Sequence, residues 1–178
     1  MFDGWENYYL MVGSAAGALI GLMFVVVTLT AGRGRSETDR GKRLYTSPIV
    51  WHLGVILVLS GAAAVPHITA KAFAVMVGGL ALLGIGMGIR SAAGIARSPG
   101  APEAAGFDIF WYGVAPAIVY VGLAGSAVGV LRGSSWATTA LAADLMALLL
   151  VSIHAEWDLV TYLAPIAGRT DNDTKPNG

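Results

Sequence analysis

Four ionisable side chains fall within one apolar stretch near the C-terminal end of this 178-residue chain. The stretch reads WATTALAADLMALLLVSIHAEWDLVTYLAP and holds Asp144, His154, Glu156 and Asp158. Carboxylates and an imidazole together can bind a cation, hand on a proton or pair with one another. Imidazole is the side chain that changes charge nearest neutral pH. His154 and Asp158 are four residues apart and share a helix face. Asp144 precedes Asp158 by 14 residues, only about 40° of rotation at 100° per residue. Asp144, His154 and Asp158 therefore form one stripe, and Glu156 points elsewhere.

Two readings of these groups follow. In one, the stripe borders a hydrated path or cation site, with Asp144, deepest from either end, as its leading residue. In the other, Glu156 and Asp158 reach water at the end of the helix. Arg90 then pairs with Asp158, and His154 bonds to a backbone carbonyl. A third reading is metal or haem ligation through His52 and His154, with Glu156 and Asp158 completing a four-ligand set. Imidazole and carboxylate suit zinc or iron, but the spacing matches no compact motif such as HExxH. His67 reads as an exposed turn residue. No cofactor is expected.

The elements that must carry these groups are membrane helices. The chain is 56% hydrophobic and 12% charged, with a mean hydropathy of +0.67. That is too much apolar surface for one small water-exposed core. Hydrocarbon about 30 Å thick needs roughly 20 apolar helical residues. Five such spans are predicted near 8–31, 48–66, 72–89, 109–131 and 137–163, making 1–168 a single all-α transmembrane bundle followed by a disordered polar tail, 169–178. Runs such as LIGLMFVVVTL and LMALLLVSI do not alternate, which excludes an outer-membrane barrel. A four-span alternative places Pro66, His67 and Lys71 in lipid, at high cost. At intramembrane depth, a charged side chain costs roughly 2.5–3.5 kcal/mol on insertion scales, so the acids of the last span must face protein, water or each other.

Charge orients the chain. Arg33, Arg35, Arg40, Lys42, Arg43, Arg90, Arg97, Arg169 and Lys175 fall on one side of the five-span arrangement, and only Lys71 and Arg132 on the other. Basic residues favour the cytoplasm, so the N-terminus is expected outside and the C-terminus inside. The aromatics agree: Trp5, Tyr8, Tyr9 and Trp136 mark the outer boundary. Tyr45, Trp51, Trp111, Tyr112 and Tyr162 mark the inner one, with Trp157 slightly deeper. The acidic, aromatic opening MFDGWENYY is unlike a basic secretory signal, so the first span is expected to be retained.

Glycines recur at four-residue intervals. Gly13, Gly17 and Gly21 do so in span one, Gly84 and Gly88 in span three, and Gly125, Gly129 and Gly133 in span four. Such faces admit a second backbone closely, within the chain or between subunits. Pro116 should bend span four or free a carbonyl one turn earlier. The turn PHITAK makes spans two and three an antiparallel pair. The longer connections, AGRGRSETDRGKRL and the stretch around Pro99, Gly100 and Pro102, are too short for a catalytic domain.

The absence of cysteine removes disulfides, thiolate metal sites and cysteine nucleophiles. Zero net charge without a basic block gives no footprint for nucleic acid. There is no phosphate-cradling loop and no nucleophile in a recognisable setting. The last span has no lysine for a retinal Schiff base.

The two ends of the chain resemble a family of small bacterial polytopic membrane proteins. The resemblance lies in ENYYLMVGSAAGALIGLMFVVVTL, with Gly21, Leu22, Phe24 and Val25, and in EWDLVTYLA, with Trp157, Asp158 and Leu159. It covers about a third of the chain and implies a multi-pass location in the bacterial inner (plasma) membrane, without an activity to carry over. The expected function is a non-enzymatic, homo-oligomeric channel-like protein for ions or small solutes, its polar lining led by Asp144. The alternative is an accessory or scaffolding subunit of a larger membrane complex. A membrane metal or haem protein is the third reading.

Overall fold

A computed structural model describes the backbone of residues 2–30, 38–96 and 109–169, and the side chains of residues 2–28, 48–94 and 109–161. Five α-helices follow one another: α1 (Glu6–Thr30), α2 (Thr38–Ala63), α3 (Ala70–Ala96), α4 (Ala115–Leu131) and α5 (Ala137–Arg169). A π-helical turn, Phe110–Val114, runs directly into α4. There is no strand among the described residues, in keeping with the expected all-α class.

Four stretches are long and apolar enough to cross a membrane: Glu6–Thr28, Ala70–Gly94, Phe110–Leu131 and Ala137–Thr161. The apolar part of α2, Pro48–Ala63, is shorter. At 1.5 Å per residue its 16 residues reach about 24 Å, less than a 30 Å hydrocarbon core. Two expected connections are partly helical. Thr38–Ser47 belongs to α2, and Arg90 to α3. Both helices continue past the apolar stretch, α2 through Gly41 and Pro48 and α3 through Gly94, so the end of hydrophobicity was not the end of the helix. The connection around Pro99, Gly100 and Pro102, the side chains of Tyr45 and Tyr162, and the tail beyond Arg169 lie outside the described residues.

The helices close a ring in chain order, each packed against the next, with α5 also returning to α1. Contact between α2 and α5 crosses the middle. Inward faces follow helical periodicity. Ile49, Leu53 and Ile56 on α2, Phe73, Val77 and Ala81 on α3, and Leu141, Leu145 and Leu148 on α5 are all buried. The outward faces are also apolar, with Leu10, Phe24, Leu82 and Trp157 each more than two-thirds exposed. A bundle apolar inside and out is suited to lipid.

The turns have local causes. Gly133, at φ +67°, ends α4. The Ser134 N–H donates to the Gly129 carbonyl and the Gly133 N–H to that of Val130, a Schellman arrangement that only a left-handed residue permits easily. Gly133 is therefore a helix stop and not part of a packing stripe. His67 lies exposed in the α2–α3 turn with φ +59°, as a turn residue should. Pro116 has no N–H for the Tyr112 carbonyl one turn before it. The chain answers by widening there, the Ala115 N–H donating to Phe110 five residues back.

The glycine stripes divide. A Cβ on Gly84 would strike the Tyr120 ring, and one on Gly88 would lie 3.1 Å from the Gly113 carbonyl and 3.3 Å from Ala117. Both mediate the α3–α4 contact within the chain. Gly113 serves the same contact, where a Cβ would lie 2.8 Å from that of Ala92. Gly129 fits against Trp136 and Ala137. Gly13 fits against Ser60, but Gly17, Gly21 and Gly125 have no atom within 4 Å of an added Cβ. The span-one stripe is thus a packing face at its first glycine alone.

Candidate functional site

α4 and α5 run antiparallel on either side of the Arg132–Trp136 turn, so residues equally distant from that turn meet. Asp144 and Asp158 are 14 residues apart on α5, and Ser126 on α4 is 14 residues from Tyr112 in the π-turn that leads into it. Both pairs meet. The Ser126 hydroxyl donates to Asp144 Oδ2 at 2.7 Å, and the Tyr112 hydroxyl donates to Asp158 Oδ2 at 3.3 Å. The two contacts are about 21 Å apart along the axis at 1.5 Å per residue.

Asp144 is half-buried, and its Ser126 partner is fully buried. Gly122 makes its place, since a Cβ there would overlap the carboxylate, with Cγ only 3.1 Å away. At the far end, His154 Nε2 lies 3.5 Å from Asp158 Oδ2, both side chains about one-third exposed. The Trp111 ring covers His154, with centroids 4.1 Å apart. The expected stripe of Asp144, His154 and Asp158 therefore exists and faces α4 of the same chain. It forms a seam between two helices of one chain, half-buried at Asp144 and about one-third exposed at His154 and Asp158.

Three expectations require correction. Glu156 is not an exposed acid at the helix end. It is buried, with Oε1 enclosed and unpartnered, and it faces Leu22, Met23 and Val26 of α1. Arg90 does not pair with Asp158, whose Oδ2 accepts from the Tyr112 hydroxyl, while Arg90 is exposed. His52 does not join His154, Glu156 and Asp158. No group of three or more His, Asp or Glu converges to hold a metal among the described residues. His52 instead sits in the middle of the bundle, its Nδ1 2.8 Å from the Tyr120 hydroxyl, and Gly84 admits the Tyr120 ring from the α3 side.

Several of these partners carried no obvious signal. Ser126 and Tyr112 mirror the spacing of the two aspartates about the α4–α5 turn, a pattern readable once antiparallel pairing is assumed. Tyr112 was instead read as a boundary aromatic. The His52–Tyr120 contact joins helices that are not neighbours in sequence. At the N-terminal end, Tyr9 is buried edge-on against Phe2, and the Tyr8 hydroxyl donates to the Ala142 carbonyl at 2.5 Å, tying α1 to α5.

Chemically, the seam offers two carboxylates, two hydroxyls and an imidazole along one interhelical line. These groups can coordinate a passing cation or relay a proton, and they can also simply hold the helices together. Against protein-family models, curated proteins and solved structures the chain has no match.

Proposed function

We propose that this chain is a five-span protein of the bacterial inner membrane, N-terminus outside, whose homo-oligomer conducts ions or small solutes past the α4–α5 seam. The observation that carries this reading is the placement of the intramembrane acids. Asp144 and Asp158 turn toward α4, where hydroxyls meet them, and not toward the apolar exterior. Intramembrane acids arranged on one inward line are the ordinary mark of a substrate or ion pathway. The nine-to-two division of basic residues supports the orientation. It needs α2 as the fifth span, its short apolar part completed by tilt or local thinning. Reconstitution into liposomes tests the proposal: wild-type protein passes ions, and Asp144→Asn reduces the flux.

A second reading is an accessory subunit of a larger membrane complex, with the acids as pairing partners. Its support is that the Ser126 hydroxyl already donates to Asp144 and the Tyr112 hydroxyl to Asp158. The open positions at Gly17 and Gly21 then accept another helix. A correctly assembled protein that passes no ions and co-purifies with unrelated subunits decides for this reading.

A further inference from the structure

The seam leaves one acid of α5 unused. Glu156 lies on the other side of the helix, against α1, and is 7% exposed. Its Oε1 is enclosed and has no hydrogen-bond partner. The recess beside it, about 20 Å³, is lined otherwise by Leu22, Met23, Val26, Leu159 and Val160. That is room for about one water, but a buried water needs two to four polar partners and this recess supplies only the carboxyl. A cation fares no better, because hard ions require several oxygen ligands and the walls offer none.

The described titratable groups on every packed element are engaged elsewhere or distant. His154 and Asp158 turn to α4, and His52 on α2 is bound to Tyr120. Asp3 and Glu6 lie at the other end of α1. Ser152, one turn before Glu156, gives its hydroxyl to the Leu148 carbonyl. A carboxylate left unpaired in such a place neutralises itself by taking a proton.

We infer that Glu156 is a proton-binding site, held as the neutral acid between α1 and α5. Asp144 and Asp158 differ because hydroxyls donate to their oxygens. This inference rests on the α1–α5 contact and is independent of the transport reading.

Infrared spectroscopy of the purified full chain at neutral pH tests it. The wild type should show the C=O band of a protonated carboxyl, lost in Glu156→Gln and kept in Asp144→Asn and Asp158→Asn. The wild-type spectrum and the two aspartate variants need no change at Glu156, so they stand whether or not Glu156→Gln folds. A wild type without the band, a band lost in Asp144→Asn or Asp158→Asn, or one that survives Glu156→Gln overturns the inference.

Discussion

Ser126 and Asp144 stand nine residues either side of Ser135, and the serine hydroxyl donates to the aspartate at 2.7 Å. Tyr112 and Asp158 stand 23 residues either side of the same position and also meet. One antiparallel register thus supplies both contacts, and Gly122 clears the space for the deeper acid. Replacing Ser126 with Ala removes a buried donor. Interhelical hydrogen bonds in membranes are worth about 0.6 kcal/mol on average and up to about 1.7. Ser126→Ala should cost a figure in that range in detergent unfolding, and the double variant with Asp144→Ala should cost less than the sum of the singles. Additive losses would show that the two residues are not coupled.

The α3–α4 contact depends on the absence of a side chain at Gly84. Gly84→Ala places a methyl against the Tyr120 ring, and overpacking of this kind costs typically 1–3 kcal/mol. Tyr120→Phe keeps the ring and should not rescue it, whereas Tyr120→Ala should. Thermal unfolding of the three combinations checks the order. Gly125→Ala is the control, and it should be neutral because nothing lies within 4 Å of the added Cβ.

Tyr120→Phe on its own removes the hydroxyl that meets His52 Nδ1. Leaving a buried polar atom without its partner costs about 1–3 kcal/mol. The variant should unfold earlier in a denaturant titration while retaining wild-type helicity. Unchanged stability would mean that the His52–Tyr120 contact contributes nothing to the bundle.

Gly17 separates fold from assembly. An added Cβ meets no atom of the same chain, so Gly17→Ala should leave monomer stability unchanged or slightly raised by helix propensity. Gly17→Leu should leave the monomer folded and shift the species seen by light scattering from oligomer to monomer. Misfolding of Gly17→Ala would contradict the open environment at this position.

Much of this architecture was legible from residue order because membrane helices are written in long apolar runs. The proline and polar turn at Pro66–His67 punctuates them, whereas Gly133 reads as a stripe glycine and is a helix stop. The shared face of Asp144, His154 and Asp158 followed from helical rotation alone, as did the different direction of Glu156. What those faces meet did not follow. A rotation angle names a side of a helix, but the neighbour on that side depends on how all five helices close. So the seam opposite Ser126 and Tyr112, the burial of Glu156 against α1 and the His52–Tyr120 contact all required the packed bundle. Pro116 was legible in kind: the loss of its N–H called for a local adjustment, and the π-turn at Phe110–Val114 is the form it took.

The central claim is conduction that depends on the α4–α5 seam, and its most direct test is ion flux through the reconstituted protein. Wild-type and Asp144→Asn proteins of matched oligomeric state and orientation should be compared in the same liposomes. The account predicts flux in the wild type and a fall of roughly tenfold in the variant, equivalent to about 1.4 kcal/mol on the barrier. Equal flux in the two proteins, or none from a correctly assembled wild type, would contradict it.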